Sequence, residues 1–406
     1  MNEKLPSEVT LHNRDIVIVG QQPWDTTIGS NCKNIAVEFS KHNRVLYVNS
    51  TLDRITLLRN KNDPRVQKRL NIIKGAENGL ELVQKNLWNL YPDCLTESIN
   101  WIKNRPVFNA LNKINNKKFA RSIHHAMQAL GFRNIILFND NDMFRSFYLK
   151  DFLSPALSIY YSRDYMLGVD YWKFHGEKLE PALIAKSDIC VANSTYLANY
   201  CGKYNPSSYY VGQGCELDIF TNLKEKTRPK DMAGIAFPVV GYVGALQSIR
   251  LDITLLEGIA SKRPDWNIVL VGPEDDSFKV SALHQMKNVV FLGAKPPESL
   301  PAYINSFDVC LNPQIVNEVT IGNYPRKIDE YLAMGKPVVA TATEAMSIFA
   351  GHTYLATTQA GYITLIEKAL TEDSPTLRES RAAFAATHTW ENSVGEIYSS
   401  ILKAGR

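Results

Sequence analysis

No stretch of the 406 residues holds about 18 consecutive apolar side chains, so no membrane-spanning helix is expected. The opening residues, Met1 to Arg14, are polar and mixed in charge, which is not the pattern of a secretory signal. Cys32, Cys94, Cys190, Cys201, Cys215 and Cys310 are scattered, with no CxxC pair and no histidine cluster beside them. That spacing argues against a zinc site or a disulfide framework, and for reduced thiols in a cytosolic protein. A net charge of +4 is too small to point to nucleic acid as a partner. After the first strand the sequence reads Gly20-Gln21-Gln22 rather than G-x-G-x-x-G, which excludes an NAD-dependent oxidoreductase of the common type.

What is present is a globular composition, with 45% apolar and 21% charged residues, long enough for about two or three domains. The charge is unevenly placed. Residues 54–74 hold seven basic side chains and one acid, Asp63, and residues 101–122 hold six basic side chains and no acid. Trp101, Phe108 and Phe119 are interleaved with the second group. One reading is contact with an anionic membrane surface; the other is a solvated face that keeps the protein soluble.

The apolar pattern alternates strand and helix in two runs. In the first, 15–20 and 44–49 read as strands around a helix at 31–41. Residues 134–139, 156–161, 189–193 and 208–211 follow as strands, with helices at 178–186 and 195–202. Residues 52–125 read as helical or irregular, with 80–83 as a weak strand. The second run has strands at 238–244, 266–272, 289–293, 307–311 and 338–340, with helices at 253–262, 300–306, 361–371, 376–386 and 390–403. The expected division is an N-terminal domain 1–218, a linker 219–236, a second domain 237–387 and a terminal helix 388–406. Open parallel sheets bind ligands at the carboxyl ends of their strands, and Gly20, Gly244, Gly272 and Gly293 all fall there.

Asn323 to Thr341 is the most informative segment. It reads as a helix opened near Pro325, closed by Gly335, and followed by the buried strand Val338-Val339-Ala340. At about 100° per residue, Ile328, Tyr331 and Leu332 share one side, and Arg326, Lys327 and Glu330 share the other. A carboxylate between two cations suits a ribose diol next to phosphates; an ordinary solvated face is the competing reading.

With these segments in view, the chain resembles nucleotide-sugar glycosyltransferases of the GT-B fold, and among them the retaining family 4. Gly241-Tyr242-Val243-Gly244-Ala245 with Asp252 resembles the first C-terminal strand and phosphate loop of that family. Val290 to Gly293, with Leu300 to Tyr303 and Phe307 to Val309, resembles the segment whose backbone faces the base. Pro325 to Thr341 resembles the donor motif. Glu180, Ser187 to Ser194 and Gly214 to Phe220 resemble the end of the N-terminal domain, and Trp390-Glu391 the start of the terminal helix.

The resemblance implies an α/β fold, GT-B, with two Rossmann-like domains facing each other across a cleft. It implies transfer of a hexosyl group from a nucleoside diphosphate sugar to an acceptor hydroxyl, on a glycan or lipid-linked acceptor. No metal and no cofactor are implied, because cations and backbone amides replace the metal. Catalytic roles fall on Arg250, Lys327 and Glu330. Donor contacts fall on Gly244, Ala245, Gly272, Gly293, Ala294, Asn323 and Arg326. The loops after the first-domain strands place Trp24, Asp25, Gly29, Arg163 and Asp164 at the acceptor.

Two departures stand out. The family pairs two glutamates as E-x7-E; Glu330 matches the second, but Gly322 occupies the first, with Asn323 and Glu318 as neighbours. Ala245 stands where relatives carry arginine, leaving Arg250, Arg326 and Lys327 to supply phosphate charge. Asp140-Asn141-Asp142 is read as a turn. For an inverting route the base candidates are Asp25, Asp164 and His175, the last read as a surface residue. The remaining alternatives are a nucleotide-sugar epimerase and a non-catalytic partner on the same fold. The expected location is cytoplasmic, peripheral at the inner face of the membrane.

Overall fold

A computed structural model describes residues 10–26, 29–221 and 228–405. Six of the 18 residues of the expected linker, residues 222–227, and the first nine residues lie outside the described residues. The chain divides into two compact units, Met1–Gly212 with Trp390–Arg406, and Gln213–Thr389.

The first unit is built on β1 (Asp15–Val19), β2 (Arg44–Val48), β3 (Leu52–Asp53), β4 (Leu80–Gln84), β5 (Leu87–Leu90), β6 (Leu95–Thr96), β7 (Ile136–Asp140), β8 (Leu157–Ser162), β9 (Ile189–Ala192) and β10 (Ser208–Tyr210). Eight of them form one sheet in the order β10-β9-β8-β7-β1-β2-β5-β4, while β3 and β6 pair apart. The large sheet is parallel except at its edge, where β4 runs antiparallel to β5. Its helices are α1 (Asn31–Ser40), α2 (Arg54–Arg59), α3 (Pro64–Ile73), α4 (Arg105–Leu130), α5 (Leu149–Leu153), α6 (Asp170–Lys186) and α7 (Thr195–Gly202).

Successive residues of a strand point to opposite faces, and β1 shows what that demands of the sequence. Ile16 and Ile18 pack with Ile35 and Phe39 of α1, while Val17 and Val19 pack with Phe119 and Ile123 of α4. A strand covered on both faces must be apolar throughout, hence the unbroken Ile-Val-Ile-Val run.

The 26-residue α4 occupies the stretch that was hardest to read. Asn104 caps it by accepting from Val107 N at 3.2 Å, and Gly131 at φ +64° ends it. Phe108 and Phe119 are buried in the core. This corrects their expected place on a basic membrane-facing surface; of the three aromatics only Trp101 is exposed. Among the cations of 54–74, Arg54, Lys68 and Arg69 pair with Glu97, Glu81 and Asp25.

His175 is a second correction. Helix α6 starts at Asp170, eight residues before the expected 178, and carries His175 inward. Its ring is buried, stacked on Phe108 at 3.6 Å, with Nε2 2.9 Å from the Ile102 carbonyl.

The second unit carries α8 (Asp218–Thr221), then β11 (Val239–Val243), α9 (Ile253–Lys262), β12 (Asn267–Val271), α10 (Asp276–Lys279), β13 (Val289–Phe291), α11 (Leu300–Asn305), β14 (Val309–Asn312), α12 (Lys327–Ala333), β15 (Val338–Thr341), β16 (Tyr354–Ala356), α13 (Gln359–Glu372) and α14 (Pro375–Ala385). Its six strands lie in the order β13-β12-β11-β14-β15-β16, all parallel. The order reverses direction between β11 and β14, which makes the carboxyl ends of those two strands the switch point where such sheets bind ligands.

The last helix, α15 (Trp390–Lys403), belongs to the first unit. Trp390, Val394, Ile397 and Ile401 recur at helical spacing and pack into the core on the α1 side of the sheet. Tyr398 accepts a hydrogen bond from Asn43 at 3.0 Å.

Candidate active site

At the switch point of the second sheet lies a cavity of about 500 Å³. Its wall is drawn from the ends of β11 and β14, the loop after β11, and the turn into α12.

The loop after β11 opens on Gly244, at φ +140°. A Cβ there would stand 2.9 Å from the Tyr242 hydroxyl and 3.2 Å from Lys327 Nζ. Gly272 supports it from the next strand. At φ +155°, any Cβ on Gly272 would meet the Gly244 carbonyl at 1.9 Å. Glycine is required at both positions by backbone angle and by space. Beyond Gly244 the loop is held on two sides: Leu246 N donates to Pro273 O at 2.8 Å, and Ile315 N donates to Arg250 O at 2.9 Å. Asp252 then caps α9 through Leu255 N at 2.9 Å.

The Gly244 N–H is spent on Val271 O at 2.9 Å. It therefore does not serve as a phosphate donor, which corrects the expectation that Gly244 contacts the donor through its backbone amide. Ala245 N–H makes no hydrogen bond among the described residues, and Ala245 is exposed in the cavity wall.

The turn before α12 supplies the side chains. Pro325 O receives Ile328 N at 2.9 Å, and the helix proper starts at Lys327, two residues after the proline. Gly335, at φ +71°, lets the chain leave the helix. The buried face of α12 carries Ile328, Tyr331 and Leu332 into the core. The opposite face brings Arg326, Lys327 and Glu330 to the cavity, with Arg250 and Asn323.

Lys327 Nζ donates to the Tyr242 hydroxyl at 2.7 Å and lies 4.5 Å from the centre of its ring. Burial raises the Glu330 carboxyl above the usual carboxylate range, against the pull of Arg326 and Lys327. Glu330 makes no side-chain hydrogen bond or ion pair among the described residues. Two buried donors are also without partners there: Arg326 Nε and Asn312 Nδ2. A buried polar group left unpaired costs about 1–3 kcal/mol. Two such donors beside the half-buried Glu330 carboxyl mark a place prepared for polar ligand atoms.

Of the sequence-derived donor residues, Gly244, Ala245, Arg250, Asn323, Arg326, Lys327 and Glu330 line this cavity. Gly272, Gly293 and Ala294 are not in its wall; Gly272 acts by letting Gly244 approach. Glu318 is exposed and Gly322 buried, both outside the cavity wall. Tyr242 and Asn312 were missed. Tyr242 sits inside the Gly241–Ala245 motif, and Asn312 ends the buried strand β14 just before Pro313, a polar residue where the apolar run stops.

Beneath the site, Asp329 is fully buried on the inner side of α12. His388 Nδ1 donates to it at 2.5 Å and the Cys215 thiol at 3.2 Å. Cys215 N also donates to His388 O at 2.9 Å. The clasp fixes the roll of α12, and with it the direction of Lys327 and Glu330.

In the first unit the expected acceptor residues gather at the strand ends but are partly engaged. Asp140, at the end of β7, accepts from Arg163 Nε at 2.7 Å and from Gln21 N at 3.3 Å, joining the loops after β8, β7 and β1. Arg163 also pairs with Asp164 at 2.5 Å. Asp25 takes Arg69 through both oxygens at 3.0 Å. Burial opposes its charge, but Arg69 outweighs this and holds the carboxyl below the usual range. Trp24 packs on Tyr47 at 4.9 Å, and Gly29 is exposed. Asp142 accepts from Phe144 N and Arg145 N, and Asn141 has φ +55°, so Asp140-Asn141-Asp142 turns the chain. Among the described residues no group of three His, Cys, Asp or Glu is placed to hold a metal.

Comparison with known proteins bears on the same half of the chain. Residues 237–371 match the family described as Glycosyl transferases group 1. The second unit carries a group 1 glycosyltransferase domain. The matched residues include the whole wall of the cavity. A Bacillus subtilis protein named as a teichuronic acid biosynthesis glycosyltransferase, TuaH, is 27% identical over 222 residues. That alignment covers 52% of this chain and 56% of the relative, so the chain spans about half of the curated relative it matches.

The solved structures extend the likeness to the whole chain. Sucrose-phosphate synthase from Thermosynechococcus elongatus is 15% identical, with a TM-score of 0.66 over 97% of this chain and 100% of that one. Anabaena HepE, in complex with UDP and glucose, is 15% identical with a TM-score of 0.59, over 97% and 100%. A trehalose-phosphate synthase (UDP-forming) from Burkholderia vietnamiensis is 12% identical with a TM-score of 0.66, over 97% and 97%. At these identities the likeness speaks for fold alone, and the fold is GT-B, with two Rossmann-like units. No helix among the described residues is long and apolar enough to cross a membrane.

Proposed function

We propose that the protein is a glycosyltransferase that moves a hexosyl group from a nucleoside diphosphate sugar to an acceptor hydroxyl in cell-surface polysaccharide synthesis. The observation that carries this reading is the composition of the donor cavity. Arg250, Arg326 and Lys327 line it with a single carboxylate, Glu330. Three cations match a diphosphate, and one desolvated carboxylate without a partner matches a ribose diol. The group 1 domain and the UDP complex of the HepE relative support the same ligand class.

As the glycosidic bond breaks, negative charge grows on the leaving diphosphate. Lys327 is held in place by Tyr242 before the reaction begins, so its charge is available without reorganisation. Arg250, Arg326 and the Ala245 N–H add to it. In this reading the protein's own cations do the work of a metal, and no cofactor takes part.

The retaining course is part of the proposal. Of the three base candidates for inversion, Asp25 is tied to Arg69, Asp164 is paired with Arg163, and His175 is stacked inside the core. A retaining transfer needs no such base, because the leaving phosphate can take the acceptor's proton. Location at the inner face of a membrane, through the basic segments 54–74 and 101–122, belongs to the same proposal.

Incubating the purified protein with UDP-, GDP- and ADP-hexoses tests the reading. One sugar nucleotide is expected to be consumed slowly, with release of the nucleoside diphosphate. Absence of turnover and of binding for all three would contradict it.

A further inference from the structure

The first unit holds a separate cavity of about 580 Å³, within the roughly 300–1,000 Å³ range of small-ligand sites. It is built from the segments that interrupt the strand–helix alternation, around β3, β6, α2 and α4, together with the start of α6. None of the acceptor residues named above lines it.

We infer that this cavity is a binding site for neutral pyranose units of a glycan, distinct from the donor site.

The rim is aromatic. Trp101 is 72% exposed, yet its indole N–H is tied to the Ser98 carbonyl at 2.8 Å. An exposed indole held in one orientation is a ready platform. Tyr171 and Phe174 are exposed on the same cavity, on the first turns of α6. The axial C–H faces of a pyranose ring are apolar and weakly positive, and they stack on the negative faces of aromatic rings.

The floor is polar. Asn112 is buried in the cavity wall, and its Oδ1 and backbone carbonyl both accept from Asn116, at 3.1 and 2.8 Å. Its Nδ2 has no partner. A buried amide donor with no acceptor calls for a ligand oxygen. Neighbouring Asn115, by contrast, is fully used on the backbone of Glu97.

The charge excludes the rival ligands. Asp53, Glu97 and Asp170 line the cavity against Arg59 and Arg145. Arg145 is paired with Asp142 and Glu97 with Arg54, both at 2.6 Å, which leaves Asp53 and Asp170 against Arg59. Two carboxylates against one arginine disfavour a phosphate or an anionic headgroup, and the amide floor disfavours an acyl or isoprenoid tail. Aromatic faces over amides and carboxylates suit hydroxyl-rich, uncharged rings.

Titration calorimetry of the whole protein with cellotetraose, maltotetraose and chitotetraose, without nucleotide, tests the site. At least one is expected to bind. Trp101→Ala and Phe174→Ala should each weaken that binding about tenfold, and Asn112→Ala more. The urea unfolding midpoint of Trp101→Ala should match that of the wild type, which shows that the variant is folded. The inference is overturned if none of the three saccharides binds, or if the Trp101→Ala and Phe174→Ala variants bind as the wild type does. It is also overturned if phosphatidylglycerol vesicles bind through Trp101 while all three saccharides are silent. The saccharide test involves no donor, so its failure and the failure of the glycosyltransferase reading are separable.

Discussion

Lys327 on α12 and Tyr242 on β11 meet 85 positions apart in sequence, with Nζ 2.7 Å from the phenol oxygen and 4.5 Å from the ring centre. The contact joins the two sequence motifs most closely linked to the donor and aims one cation at the cavity. Removing the charge should matter more than removing the hydroxyl. Lys327→Ala is expected to weaken nucleoside diphosphate binding by about 1.5–3 kcal/mol, as for a charge-assisted hydrogen bond. Tyr242→Phe keeps the ring under the ammonium and should cost about 1 kcal/mol. Equal losses in calorimetry would mean that the hydroxyl, not the cation, contacts the ligand.

Gly244→Ala tests the loop. The φ of +140° and the 2.9 Å approach to the Tyr242 hydroxyl leave no room for a methyl group. The substitution should cost about 1–3 kcal/mol in strain and shift Tyr242 and Lys327 together. Nucleotide binding is expected to fall with overall helicity intact by circular dichroism. Wild-type binding would show that the loop yields freely.

The clasp under α12 predicts a stability effect outside the cavity. His388→Ala leaves the fully buried Asp329 with only the Cys215 thiol, and should destabilise the protein by about 3 kcal/mol in urea unfolding. Asp329→Asn removes the charge while keeping the shape and should cost less. A larger loss for Asp329→Asn than for His388→Ala would contradict the clasp.

Glu180 gives a pH signature in the first unit. Burial raises its carboxyl from 4.5 to about 7, although Tyr160 and Tyr200 donate to it at 2.7 and 3.2 Å. Because the folded pKa is the higher, the folded state holds the proton where the unfolded chain has lost it. Its contribution is full below the unfolded value and is lost as pH rises through the folded one, by at most about 3 kcal/mol between pH 4.5 and 7. Glu180→Gln keeps a partner for the hydroxyls and should flatten that fall in urea midpoints between pH 5 and pH 7.5. An unchanged slope would assign the pH dependence to another group.

Much of this architecture is legible in the sequence, for a physical reason. Parallel strands covered on both faces must be apolar throughout, so runs such as Ile16–Val19 and Ile268–Val271 announce themselves. The α12 motif is legible because Pro325, Gly335 and the Ile328–Tyr331–Leu332 spacing each constrain the backbone. Residues 52–125 were legible only in part: the weak strand at 80–83 is β4, but β3, β5, β6, α2 and α3 are short and draw their contacts from distant segments. His175 looked like a surface residue beside charged neighbours; its place is set by the Phe108 ring on another helix. The hydrogen-bonding state of Gly244 depends on Val271, which no local pattern reveals. Glu330 was found from spacing and charge, but its lack of a partner is visible only in the fold.

The most direct test of the donor site is calorimetric titration of UDP, GDP and ADP into the wild type and Glu330→Ala. Binding of one diphosphate to the wild type, weakened about tenfold or more in the variant, is the predicted result. Equal binding by both proteins, or no binding by the wild type, would contradict the assignment of Glu330 and the cavity around it.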